Sequence, residues 1–213
     1  MDSNRQVGAE RLAGWADRLQ AMARTGLFYA GNDYDRERYQ QIIGIAAEMA
    51  CLLTDRPALE FQARWADDPG YVTPRVGVGA AIFDEHDRIL LLKRSESTPE
   101  RPLWGIPVGW SEVGETPAQG IEREVLEETS LVVRVDRLLG VHDCRGPLML
   151  HHAYSITFLC SVLSGVLTPT AEAPVGGYFG RDELPKLLPH HVPMVADAFA
   201  AHLDGWTGTA FDR

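Results

Sequence analysis

The chain is poor in the features that would place it outside the ordinary globular enzymes. It has only three cysteines, Cys51, Cys144 and Cys160, in 213 residues. That is too few, and too scattered, for a disulfide framework or a cysteine zinc site, so free and mostly buried thiols in a reducing compartment are expected. No stretch approaches the run of about 18 apolar residues that a membrane span requires. The opening "MDSNRQVGAERL" has no apolar signal-peptide core. A soluble, cytoplasmic protein without a membrane partner follows as the expectation. Lysine and arginine never cluster into a block, and 30 acidic residues outweigh 20 basic ones, for a formal charge of −10. Binding to nucleic acid is therefore not expected, because nothing neutralises a phosphate backbone. An acidic protein that handles phosphates does so through divalent cations.

What is present is apolar patterning sufficient for a core: 45% of residues are apolar. Residues 8–55 read as two helices. Leu12, Trp15, Leu19 and Met22 recur at helical steps, with Gly26 as the expected stop. Asp33 is the expected N-cap of the second helix, whose stripe is Tyr39, Ile42, Ile43, Ala46, Met49, Ala50 and Leu53. Two helices cannot enclose a core alone, so self-association through residues 1–66 is expected. Residues 54–74 read as a linker with one helical turn. Strand signals then take over: "RVGVGAAIFD" and "RILLLKR" flank "EHD" as a hairpin would. "LVVRVDRLLGVHD", "LMLHHAYSITFLCSVLSG" and "GGYFG" follow, and "RDELPKLL" and "HVPMVADAFAAHL" read as closing helices. The fold class expected is α+β, with a mixed α/β domain over 71–205 behind a small helical domain over 1–66. Of the histidines, His151 and His152 alternate to opposite faces, and the pair His190–His191 reads as a solvated turn.

The most unusual stretch is "GWSEVGETPAQGIEREVLEETSL", residues 109–131, which holds six glutamates against one arginine, half of the chain's net charge. Thr116 followed by Pro117 starts a helix well. At about 100° per residue, Glu124, Glu127 and Glu128 share one narrow face. Like charges so placed repel, and helix propensity does not ask for them. A hard divalent cation turns that repulsion into ligation. Ala118, Ile121 and Val125 form an apolar stripe beside them, and Arg123 is placed four residues before Glu127 to brace it. Gly109 and Gly114 let backbone approach a phosphate closely.

This stretch resembles the Nudix box, GX5EX7REUXEEXGU. Gly109, Glu115, Arg123, Glu124, Val125, Glu127, Glu128 and Leu131 meet the pattern; Ser130 replaces its glycine. "LWGIPVG" resembles the family's W-x-x-P-G-G approach with Val108 for the first glycine, and "YFGRDELP" resembles its later aromatic-F-x-x-D-E-L-P segment. The glycine replaced by Ser130 would take the left-handed conformation that closes a helix. A side chain there costs about 1–2 kcal/mol and leaves every carboxylate in place. The resemblance implies an α/β/α sandwich and hydrolysis of a nucleoside diphosphate linked to a group X, with Mg²⁺ or Mn²⁺. It assigns Glu124, Glu127 and Glu128 as metal ligands, Glu115 as a ligand through water or a supporting residue, and Arg123 as the organiser. The general base is either Glu124 or a loop glutamate, Glu172, which also reads as an exposed loop residue.

The N-terminal helices, with "GYVTPRVGVGAAIF" and "GWSEVGETP", resemble a Nudix subgroup that carries a helical N-terminal domain. The resemblance implies a homodimer and, as substrates, CDP-choline or ADP-ribose. Gly109 and Trp110 beside the metal loop, and Tyr154 and His152 on a later strand, are the candidate substrate contacts; Trp110 reads equally as a packing residue. Gly77 and Gly79 leave the first strand less charged than is usual in this subgroup. Two other readings are a house-cleaning nucleoside triphosphate pyrophosphohydrolase and a non-catalytic Nudix-like ligand sensor.

Overall fold

A computed structural model of the chain describes residues 3–54, 57–66, 72–93, 103–144, 152–168, 170 and 173–212. The chain divides into two compact units, Met1–Pro74 with Arg145–His152, and Arg75–Cys144 with Ala153–Arg213.

The first unit is helical, with α1 (Ser3–Tyr29), α2 (Asp33–Cys51) and α3 (Ala58–Ala66). Gly26 does not end α1. A Cβ there would stand 2.3 Å from the Tyr39 ring, so the glycine admits α2 rather than stopping the helix. The cap of α2 is Asn32, not Asp33: its side chain accepts the Asp35 N–H at 2.9 Å. Asp33 falls inside the first turn, where a carboxylate complements the helix dipole. The expected linker holds the nine-residue α3. Phe61 and Trp65, four residues apart, fill the core with Ala23, Ile43, Ala46 and Ala47. Leu59, the third large apolar residue of this segment, is exposed; a helix this short is not stable alone, and packing decides its structure.

The second unit is a mixed α+β fold. Its elements are β1 (Arg75–Ile82), β2 (Ile89–Lys93), β3 (Trp104–Gly105), β4 (Val108–Trp110), α4 (Pro117–Thr129), β5 (Leu131–Asp143), β6 (Ala153–Gly165), β7 (Val175–Phe179), α5 (His191–His202) and β8 (Ala210–Phe211). The strands form sheets of order β4-β1-β6-β5-β8 and β3-β2-β7. β1 runs parallel to β6 and antiparallel to β4. The hairpin expected between β1 and β2 closes only at its turn, where Asp84 accepts the His86 and Arg88 N–H groups at 3.0 Å. One bridge, Phe83 to Ile89, follows, and then the strands part into different sheets. Both strands are buried along nearly their whole length, as strands covered on two faces are.

Alternation along the strands assigns each face a helix. Val78, Ala80, Ile82, Phe158 and Cys160 pack with Ile121 and Val125 of α4. On the other face, His142 reaches Asp197 of α5 at 2.8 Å. The segment 181–188 is not a helix. Pro185 interrupts it, and it pairs instead with β3, Trp104 N–H donating to the Lys186 carbonyl and Leu188 N–H to the Trp104 carbonyl. Nor is His191 part of a solvated turn: it is 1% exposed, and its Nδ1 accepts the Ile106 N–H at 3.1 Å. All three cysteines are free; burial pushes the Cys144 and Cys160 thiols up to about 11 and about 12. Among the described residues, no helix is long and apolar enough to cross a membrane.

Candidate active site

The local sequence dictates α4 from both ends. Thr116 accepts the Gln119 N–H, and the Gln119 side chain accepts the Thr116 N–H, a reciprocal capping box ahead of Pro117. At the other end Ser130 takes the left-handed conformation, φ 62° and ψ 15°, and donates its N–H to the Leu126 carbonyl at 2.9 Å. Ile121 and Val125, fully buried, fix how the helix is rotated on the sheet. The glutamates therefore face the edge strand β4.

Arg123 is the hub of that face. Its Nε and Nη2 donate to the two oxygens of Glu115 at 3.2 and 3.0 Å. Its Nη1 donates to Glu124 at 2.9 Å and Glu127 at 3.1 Å, and Nη2 also reaches the Trp110 carbonyl at 3.0 Å. The guanidinium, helped by the Glu112 N–H, holds the Glu115 carboxyl below the usual carboxylate range, and Glu115 in turn raises Arg123. Glu124 lies flat over Gly109, where an added Cβ would come 1.8 Å from its carboxyl carbon. Glu128 is buried and accepts the Val108 N–H at 3.2 Å. The loop thus contributes a backbone donor at position 108, which valine supplies as well as glycine. Its side chain points to the other face of β4, where a Cβ at Gly79 would meet it at 3.3 Å. The two departures at the front of the site fit one another.

Three carboxylates around one guanidinium, with Glu128 beside them on the Val108 N–H, offer hard oxygen donors with a surplus of negative charge, and Gly109 opens the cradle beneath Glu124. That donor set suits Mg²⁺ or Mn²⁺. Among the described residues no three carboxylate, imidazole or thiol side chains converge on one point as they stand; Arg123 joins the carboxylates instead. Glu127, with its side chain 54% exposed, has room to turn toward an ion.

The remaining candidates are more dispersed. Trp110, 44% exposed, ends β4 with its ring on the face opposite α4. The Tyr154 side chain shares the face of β6 that packs on α4, through Ile156 and Phe158. His152 belongs to the helical unit, where its charge acts on Asp17, a carboxyl that burial pushes up to about 6. Glu172 lies outside the described residues. Sequence reasoning missed His142, whose two nitrogens meet Asp197 and the Thr157 hydroxyl. A lone histidine 55 residues from its carboxylate leaves no local signal.

Comparison with known proteins agrees with this geometry. Residues 73–198 match the NUDIX domain, and residues 10–63 match the domain described as UDP-X-like, N-terminal oligomerisation domain. A putative ADP-ribose pyrophosphatase of Bacillus subtilis is 31% identical over 177 residues, covering 82% of this chain and 83% of that one. An ADP-ribose pyrophosphatase of Methanocaldococcus jannaschii is 35% identical over 132 residues, 60% of this chain and 74% of its own. Among solved structures, a UDP-X diphosphatase aligns over 93% of this chain and 97% of its own, with a TM-score of 0.56 and 26% identity. With its box organised about Arg123 and both domains matched, the chain belongs to the Nudix family and is a Nudix hydrolase.

Proposed function

We propose that the enzyme is a Mg²⁺- or Mn²⁺-dependent pyrophosphatase of nucleoside diphosphates linked to X, with ADP-ribose as the favoured substrate. The observation that carries this reading is the set Glu115, Glu124 and Glu127 gathered by one arginine, with Glu128 on the same helix held to the Val108 N–H. ADP-ribose is favoured because the Bacillus relative, named for it, aligns over most of both chains. The UDP-X-like match of residues 10–63 makes a UDP-linked substrate the second reading, and CDP-choline the third.

Water adds to one phosphorus, the bond to the bridging oxygen breaks, and a nucleoside monophosphate and phospho-X leave. A bound divalent ion supplies charge neutralisation at the phosphate oxygens and a more acidic water. Glu124, Glu127 and Glu128 would hold it, with Glu115 beside them. Arg123 keeps these carboxylates oriented through its bidentate grip on Glu115. Glu124 or Glu172 takes the proton from the attacking water. Gly109 and Trp110, on the edge strand beside the glutamates, remain the proposed substrate contacts.

The helical unit, residues 1–66, is proposed to pair two copies into a homodimer. Its described residues include a groove of about 320 Å³ lined by Trp15, Arg18, Leu19, Met22 and Met49. The match to an oligomerisation domain supports a second copy as its occupant.

The test is product analysis across ADP-ribose, UDP-sugars, CDP-choline and oxidised dGTP with each metal. AMP and ribose 5-phosphate from ADP-ribose are expected, with turnover abolished by a chelator. Pyrophosphate from oxidised dGTP would point to the house-cleaning reading, and no turnover on any compound would leave the ligand-sensor reading. Glu127→Gln should lose roughly 100-fold or more in turnover at limiting Mg²⁺ with its melting temperature kept. Wild-type turnover in that variant would remove Glu127 from the ligand set.

A further inference from the structure

Each backbone N–H of a buried segment needs an acceptor, and the segment between β3 and β4 finds its acceptors in two side chains. Gly105, Ile106 and Pro107 are buried. Pro107 has no N–H, so the donors on the way into β4 are those of Ile106 and Val108. The Val108 N–H goes to Glu128 Oε2 at 3.2 Å. The Ile106 N–H goes to a residue 85 positions on, His191, whose Nδ1 accepts it at 3.1 Å. One amide of the segment is thus tied to a carboxylate of the site, and the other to an imidazole buried at the start of α5.

The imidazole is held in place from both sides. The His191 N–H donates to the Leu188 carbonyl at 2.9 Å, and Leu188 and Trp104 exchange the bonds that strap this segment to β3. The ring lies across Gly105, where an added Cβ would stand 2.5 Å from Nδ1. Because Nδ1 accepts, it carries no proton, and the neutral ring keeps its proton on Nε2. Between the two amides the chain is stiff. Pro107 fixes its own φ and confines Ile106 to extended backbone. Its carbonyl also accepts the Ala80 N–H at 3.0 Å. A turn of the Ile106 peptide plane is therefore passed on to Val108 and not absorbed between them.

We propose that His191 is a positioning residue for the metal-binding carboxylates: by holding the Ile106 N–H it aims the Val108 N–H at Glu128. Glu128 is buried, so its orientation is set by the donors it meets and not by water. A ligand whose supporting donor is misplaced holds an ion less tightly. The inference rests on the reading of Glu124, Glu127 and Glu128 as ligands of Mg²⁺ or Mn²⁺. It adds to that reading a residue of α5 that touches neither the ion nor the carboxylates and acts on them through three residues of backbone.

The test uses the full chain and reads two quantities apart from turnover. One is the Mn²⁺ dissociation constant by calorimetry without nucleotide; the other is hydrogen exchange of the Val108 amide in the metal-free protein. Asparagine and glutamine separate the two ring nitrogens, since the Asn amide reaches the place of Nδ1 and the Gln amide that of Nε2. His191→Gln should raise the Mn²⁺ dissociation constant about 10-fold and speed exchange at Val108. His191→Asn should keep both near the wild type. Met194→Ala, a fully buried position of the same helix, should lower the melting temperature and move neither quantity. Equal values for His191→Gln and His191→Asn, or an effect of Met194→Ala as large as that of His191→Gln, overturns the assignment and leaves His191 as a core contact of α5. A wild type that binds Mn²⁺ with His191→Gln unchanged removes His191 alone and keeps the metal reading. A wild type that binds no Mn²⁺ removes the metal reading and this inference with it.

Discussion

Ser130 is the residue where the box departs from its pattern, and its backbone shows what the departure involves. It adopts φ 62°, the left-handed region that glycine enters freely and an L side chain does not. Its N–H still caps α4, and Leu131 behind it is buried, so the helix ends where the glycine would have ended it. Ser130→Gly should stabilise the α/β unit by about 1 kcal/mol, a rise of about 2–4 °C in melting temperature, without changing turnover. A fall in stability would mean that the Ser130 side chain makes a contact worth more than the strain. The box positions were legible in the sequence because a metal face fixes residue type and spacing together. Val108 was not. Its role as a backbone donor to Glu128, 20 residues on, and the space that Gly79 leaves for its side chain show only in the fold.

At the scale of elements, α1 half-buries a carboxylate, Asp17, that its sequence presents as an ordinary polar position. Burial pushes Asp17 up from 3.8 to about 6, with the charge of His152 pulling the other way. A carboxyl whose folded value is raised binds its proton more tightly in the folded state. Its contribution to stability is full below about 3.8 and is lost as pH rises through about 6. Above that pH the helix holds a partly desolvated charge. Asp17→Asn should therefore raise the melting temperature of the helical unit at pH 7.5 and change it little at pH 4. Equal effects at both values would show that Asp17 does not titrate in this range. Periodicity exposed α1, α2, α4 and α5 because each has a long apolar stripe. It misled over 181–188, where Pro185 breaks a helical-looking run, and over 54–74, where Phe61 and Trp65 act only once a core receives them. β1 and β2 look like a hairpin from their turn, yet burial on both faces sends them to different sheets.

For the whole molecule, the charge of −10 sets copies of the chain against one another, whereas the helical unit exposes apolar side chains. Trp15 is 49% exposed and Met22 60%, and both line the groove with Leu19 and Met49. Covering the exposed half of such side chains is worth about 1 kcal/mol each, and a two-fold interface counts every one twice. Apolar burial then outweighs a repulsion that is spread over the surface and screened by salt. The protein should sediment as a dimer at micromolar concentration, more completely at 0.15 M salt than at 0.01 M. Met22→Glu places a new charge on each side of the interface and should shift the species to the mass of one chain. Because Met22 is exposed in the single chain, helical circular dichroism should not change. Turnover per chain then separates two arrangements. If the Met22→Glu monomer hydrolyses substrate as the wild type does, each α4 works with its own sheet. If turnover per chain falls in the monomer, the second copy is needed for catalysis. A Met22→Glu variant that remains a dimer would put the interface on another face of the chain.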